Sequence, residues 1–142
     1  MLSKTHLALT FIREIVFALP GVTEKILFDT PAFYVNKNIF ARLKEDEENL
    51  VIHTVEREKW IGKDPETFFI TDHYLKYKYM LINLDRVDPS DLKSLLLTAY
   101  KNRATKKQMS LLTDPIDWNF SEKRIIYQHK MWFAMLSVAK IL

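Results

Sequence analysis

Thr30-Pro31-Ala32-Phe33-Tyr34-Val35-Asn36-Lys37-Asn38-Ile39-Phe40-Ala41-Arg42-Leu43 is the stretch that decides the fold. Ala32 to Val35 is rich in aromatic and branched side chains, which suit a pleated, half-buried strand. A proline just before it fits the first position of a strand, where no N–H is needed. Asn36-Lys37-Asn38 reads as a short turn, because asparagine tolerates left-handed backbone. Ile39 to Leu43 then alternates, with Ile39, Ala41 and Leu43 predicted on one face and Phe40 and Arg42 on the other. The charged stretch Glu45-Asp46-Glu47-Glu48-Asn49 is a second turn. Leu50 to Val55 follows as a third strand, with Leu50, Ile52 and Thr54 opposite Val51 and His53. Strands joined by turns this short form a meander, which pairs antiparallel.

Helices flank this meander. Ala8, Phe11, Ile12, Ile15, Val16 and Leu19 recur at helical spacing over residues 4 to 19, with Ser3 as a cap and Pro20-Gly21 as the stop. Glu56 to Ile61 suits a short helix ended by Gly62. Asp64-Pro65-Glu66 opens a turn, Phe68-Phe69-Ile70 is a brief apolar run, and residues 74 to 84 read as another strand. Asp88-Pro89-Ser90-Asp91 is a helix start with a capping carboxylate, proline at the first helical position and an acid facing the positive end of the dipole. Leu92, Leu95, Leu96 and Ala99 give that helix an apolar face as far as about Arg103. Residues 105 to 121 show no period and contain Asp114-Pro115, so they read as a connecting segment packed on the body. Residues 122 to 142 read as a last helix bearing Met131, Trp132, Phe133 and Met135. The predicted class is α+β: an antiparallel sheet carrying an N-terminal helix, a short middle helix and C-terminal helices. The division is a domain over 1–104 and an extension over 105–142.

Composition narrows the function. At 142 residues the chain fits one domain, and 48% hydrophobic residues exclude a disordered chain. The absence of cysteine excludes disulfides, thiolate metal sites and a cysteine nucleophile, and suits a cytoplasmic setting. Lys4, His6, Arg13 and Glu14 break up the first residues, so no signal peptide is expected, and no apolar run is long enough to span a membrane. The net charge is +3, but residues 1–104 hold 15 basic and 15 acidic side chains, whereas 105–142 hold six and three. The whole excess belongs to the extension.

Leu19-Pro20-Gly21-Val22-Thr23-Glu24 followed by Thr30-Pro31-Ala32-Phe33, then Ile39-Phe40-Ala41-Arg42-Leu43, Trp60, Asp64-Pro65-Glu66-Thr67-Phe68-Phe69 and the helix at 88–104, resembles the MmcQ/YjbR family over roughly residues 5–104. The resemblance implies a curved antiparallel sheet with helices packed on it. It also implies a DNA-binding label in which strand pairs act as wings. It implies no catalytic set, and residues 105–142 lie outside it.

Candidate contacts to nucleic acid follow from residue type. Tyr74, Tyr77 and Tyr79 beside Lys76 and Lys78 combine rings that stack on bases with ammonium groups that meet phosphates. The same alternation also describes a strand with tyrosines inward and lysines in water. Arg42 lies on the first hairpin, whose acidic far turn would be repelled by a phosphate backbone. Lys101, Arg103, Lys106 and Lys107 form the densest basic run, which at a helix C-terminus also favours the dipole. The four histidines have no metal-ligand spacing, and no nucleophile elbow, phosphate loop or dinucleotide fingerprint is present. The reading is a non-enzymatic module with no cofactor and no metal, binding DNA through these local patches. The alternative is a protein-interaction or small-ligand module that assembles, for instance as a homo-oligomer, through residues 122–142, with no nucleic-acid role.

Overall fold

The computed structural model describes residues 4–112. Along them run α1 (Lys4–Val16), β1 (Val22–Leu27), β2 (Thr30–Val35), β3 (Asn38–Leu43), β4 (Asn49–His53), α2 (Arg57–Lys63), β5 (Phe68–Phe69), a 3-10 turn (Asp72–Tyr74), β6 (Tyr79–Asn83), α3 (Pro89–Arg103) and α4 (Lys106–Leu111). The strands form one open sheet in the order β1-β2-β3-β4-β6-β5, with every neighbour antiparallel. The fold is α+β, as the alternation and the helical stripes require.

One face of the sheet is covered. The α1 stripe of Ala8, Phe11, Ile12, Ile15, Val16 and Leu19 is buried, as are Leu92, Leu95, Leu96 and Ala99 of α3. They pack with Phe33, Val35, Leu43, Leu50, Ile52, Met80 and Ile82 into the main core. Asp88 caps α3, its carboxylate accepting from the Ser90 N–H at 2.8 Å. The Tyr100 hydroxyl donates to the Pro20 carbonyl at 2.6 Å and so ties α3 to the end of the first helical segment.

Local geometry departs from the sequence reading in several places. A fourth meander strand, β1, precedes Thr30. It joins β2 through Phe28-Asp29, whose φ values of 52° and 65° are both left-handed. A two-residue turn of that hand matches strand twist, but its usual Asn-Gly signature is absent. In β3, Phe33 pairs with Ala41 and Tyr34 with Ile39, so Phe40 is an extra, bulged residue. The bulge turns Phe40 into the core against Tyr100, with ring centres 6.1 Å apart, and moves Ile39 to the opposite face beside Arg42. The expected Phe40–Arg42 pairing on one face is thereby corrected. The strand expected from Tyr74 begins only at Tyr79. The short helix is Arg57–Lys63 and contains Gly62; extended backbone at Asp64 ends it. Helix α4 occupies part of the expected connecting segment, held by a Thr105–Gln108 capping box. The expected helix at 122–142 lies outside the described residues.

Candidate functional site

The second face of the sheet is only partly covered. Arg42, Val51 and Leu81 align across β3, β4 and β6 on that face, and His53 and Tyr79 form the next pair along. The segment after β5 folds back over it, so that Tyr74 packs on Val51 and Leu81 in a small second core. Beside this cover is a depression of about 240 Å³ lined by Leu27, Phe28, Ile39, Arg42, Val51, His73, Tyr74, Tyr77 and Tyr79. It draws rings from two separate stretches of chain, Phe28 and residues 73–79. His73 stands edge-on to Tyr74 at 4.8 Å, and Tyr74 lies 6.3 Å from Tyr79.

Its rim and its floor differ. Phe28 and Tyr77 are 65% and 57% exposed, so the rim is aromatic and open to water. Arg42 is floor. Its guanidinium donates to Glu45 at 2.8 Å and to the Tyr74 hydroxyl at 3.1 Å, and lies 5.4 Å beneath the Phe28 ring. Its charge is thus already matched by Glu45, and its plane supports the ring above it. Among the described residues the lining is aromatic and aliphatic with one arginine and one histidine, which suits stacking on a flat ligand. Two larger depressions, about 470 Å³ at Thr5, Glu48 and Asn83–Asp85 and about 510 Å³ around Thr10 and Phe17, bring no such ring cluster together.

Arg57 builds the cup without lining it. From the first turn of α2 its guanidinium donates to the carbonyls of Tyr74, Leu75 and Tyr77 at 2.9, 2.8 and 2.8 Å, and to that of Tyr79 at 3.4 Å. One planar fork thereby fixes the whole segment that carries Tyr74 and Tyr77. Nothing local in the sequence marks this role, because its four acceptors lie 17 to 22 residues away.

The remaining predicted contacts divide by position. Tyr77 and Tyr79 meet in the cup, although Tyr77 sits in a turn and not on the expected strand. Lys76 and Lys78 are exposed beside it and line an adjoining groove of about 300 Å³ with Thr54, Arg57 and Leu75. Lys101, Lys106 and Lys107 are exposed on α3 and α4, while Arg103 is half-buried. Helix α4 docks at the β2–β3 turn, where Gln108 and Asn36 exchange side-chain amide hydrogen bonds. Tyr74 belongs to the tyrosine–lysine cluster that the sequence singles out and lines the cup with Tyr77 and Tyr79, whereas sequence reasoning missed Phe28, His73 and Arg57 as contributors to the cup. Among the described residues no three His, Asp or Glu side chains are grouped as metal ligands, and no helix is long and apolar enough to cross a membrane.

The YjbR family model matches residues 17–102. The chain belongs to the YjbR family. The crystal structure of a Deinococcus radiodurans protein with a DUF419 domain superposes with a TM-score of 0.57 and 24% identity, over 73% of this chain and 86% of that one. That likeness shows the fold. No curated protein matches the chain. The YjbR match spans the cup from Leu27 to Tyr79 and ends one residue before Arg103, so Arg103, Lys106 and Lys107 lie beyond it.

Proposed function

We propose that this YjbR-family chain is a non-enzymatic, intracellular nucleic-acid-binding module that takes an unpaired base in the aromatic cup. The observation that carries the reading is the placement of exposed Phe28 and Tyr77 at the rim of one ring-lined depression, with Lys76 and Lys78 exposed beside it. Large rings left in water are costly to a monomer and useful to a stacking site. Each base–aromatic stack contributes about 1–3 kcal/mol without regard to sequence. The lysines supply charge for the backbone, which the electrically neutral body does not.

Fluorescence anisotropy with a labelled single strand and with a duplex tests this at ~50 mM salt. The single strand is expected to bind more tightly than the duplex, and more weakly as salt rises, because each neutralised phosphate releases a counterion. Tyr77→Ala is expected to weaken it by about 5- to 100-fold. Absence of binding to either nucleic acid at the lowest salt sinks the reading.

A further inference from the structure

We infer that β1 pairs antiparallel, edge to edge, with β1 of a second copy of this chain. The sheet has two edges, and they are built differently. At one, β5 is a strand of two residues, too short to template another chain. At the other, β1 keeps all six of its residues in one unbulged ladder with β2 and contains no proline. The charges that commonly guard such an edge are drawn back from it. The Lys25 Nζ lies 5.4 Å over the Tyr34 ring on one face. On the other face, the Arg13 guanidinium donates to both Glu24 carboxylate oxygens at 2.8 and 2.9 Å. What the edge leaves in water is apolar: Ile26 is 68% exposed.

The ladder sets which backbone groups are offered. The Phe28-Asp29 turn closes on the Leu27–Thr30 pair. Alternation from that closing pair directs the N–H and C=O of Leu27, Lys25 and Thr23 toward β2, and those of Ile26, Glu24 and Val22 outward. Among the described residues no strand lies beyond β1 to receive them. The same border continues above the sheet. Thr10, Arg13 and Phe17 follow one another at helical spacing on the flank of α1 that Glu24 fixes, and line a depression of about 510 Å³. Phe17 is 52% exposed there, its ring edge-on to that of Phe33, the residue paired with Glu24. An open ladder, an exposed isoleucine and an exposed phenylalanine thus share one border of the molecule.

A second copy fits this border because β1 is complementary to itself about Glu24. A two-fold axis through Glu24, perpendicular to the sheet, sets Ile26 against the second copy's Val22 and Lys25 against its Thr23. Every outward N–H and C=O then finds a partner, and Ile26 is covered by an apolar neighbour. The two apposed Glu24 carboxylates each already hold an arginine, so like charges meet neutralised. The neighbouring register, centred on Lys25, sets ammonium against ammonium with no acid paired to either among the described residues. Charge therefore selects the first register. The result is an isologous dimer with one continuous sheet. Its axis preserves the faces, so the two aromatic cups open on the same side.

Sedimentation velocity of the full chain over a concentration series tests the pairing. No nucleic acid is present, so the result is independent of the base-binding reading. A reversible monomer–dimer equilibrium is expected. Ile26→Lys sets a charge against Val22, and Ile26→Pro removes an outward N–H without touching the β2 ladder. Each is expected to weaken association by about tenfold or more, with circular dichroism checking the fold. Cysteine reads the register, since the chain has none of its own. On the axis, the Cα atoms of a hydrogen-bonded pair stand about 5.5 Å apart, within disulfide reach. One residue to either side, like positions are about 7–8 Å apart and out of reach. Glu24→Cys is therefore expected to give a disulfide-linked dimer on mild oxidation, and Thr23→Cys and Lys25→Cys are not. A monomer at every concentration overturns the pairing and leaves the edge to another occupant, such as residues 113–142 of the same chain. A dimer untouched by both Ile26 variants overturns it and moves assembly to another surface. Cross-linking at 23 or 25 as fast as at 24 overturns it as well.

Discussion

Phe28 occupies a turn position against the preference of its own backbone. At φ 52° a bulky L-residue gives up on the order of 1 kcal/mol relative to glycine, and its ring gains little burial in return at 65% exposure. Strain of this kind persists where the side chain is wanted. Phe28→Gly is therefore expected to leave thermal stability unchanged or slightly higher, while single-strand affinity falls; a parallel loss of both would make Phe28 a packing residue instead. Gly21 shows the opposite case. Its φ is +77°, and a Cβ there would collide with the Gln108 Nε2 that binds Asn36. Gly21→Ala is expected to cost about 1–2 kcal/mol in denaturant unfolding, from backbone strain plus the disturbed amide pair. Leu-Pro-Gly reads in the sequence as a helix stop. That its glycine also makes room for α4, from the far end of the described chain, is visible only in three dimensions.

Among the elements, β3 and the segment 72–78 carry the departures from pattern. Strict alternation along Ile39 to Leu43 correctly places Ala41 and Leu43 inward and Arg42 outward. It fails at Ile39 and Phe40, because a bulge adds one residue and no residue type announces it. The consequence is functional: the bulge delivers Ile39 to the cup and Phe40 to the core. The tyrosine–lysine run 74–79 has the composition of a strand, yet most of it is held as a turn by Arg57. Backbone carbonyls that would have entered a ladder instead accept from one guanidinium. Arg57→Ala is expected to raise amide hydrogen exchange over residues 74–79 and to cost about 2 kcal/mol, with loss of single-strand binding. Arg57→Lys is expected to behave like the alanine variant, since a single ammonium cannot span the acceptors that the fork reaches. Helix α3, by contrast, follows its sequence signals closely. Its cap, first-turn proline and apolar stripe are all local, and local signals survive folding.

For the whole molecule, charge and sheet faces set the expectations. The body through residue 104 is neutral, so long-range attraction of a polyanion is weak and local clusters must act. Changing Lys101, Arg103, Lys106 and Lys107 together to Ala is expected to weaken binding equally at every base sequence. It is also expected to flatten the salt dependence, by about 0.7 in slope for each phosphate no longer neutralised. Equal slopes for the variant and the parent chain would remove the α3–α4 end from the interface. The sequence alone determined the α+β class, the antiparallel meander, the buried stripes of α1 and α3 and the YjbR kinship. The class, the meander and the stripes rest on periodicity, caps and turns that repeat within a few residues, and the kinship rests on the resemblance of an ordered set of short motifs, matched by the family model. Tertiary structure decided which tyrosines meet, that Arg42 is a neutralised floor, and that Phe28 and Tyr77 share one rim. Those facts depend on a bulge, a left-handed turn and hydrogen bonds between residues far apart in the chain, and chain-distant geometry leaves no local pattern to read.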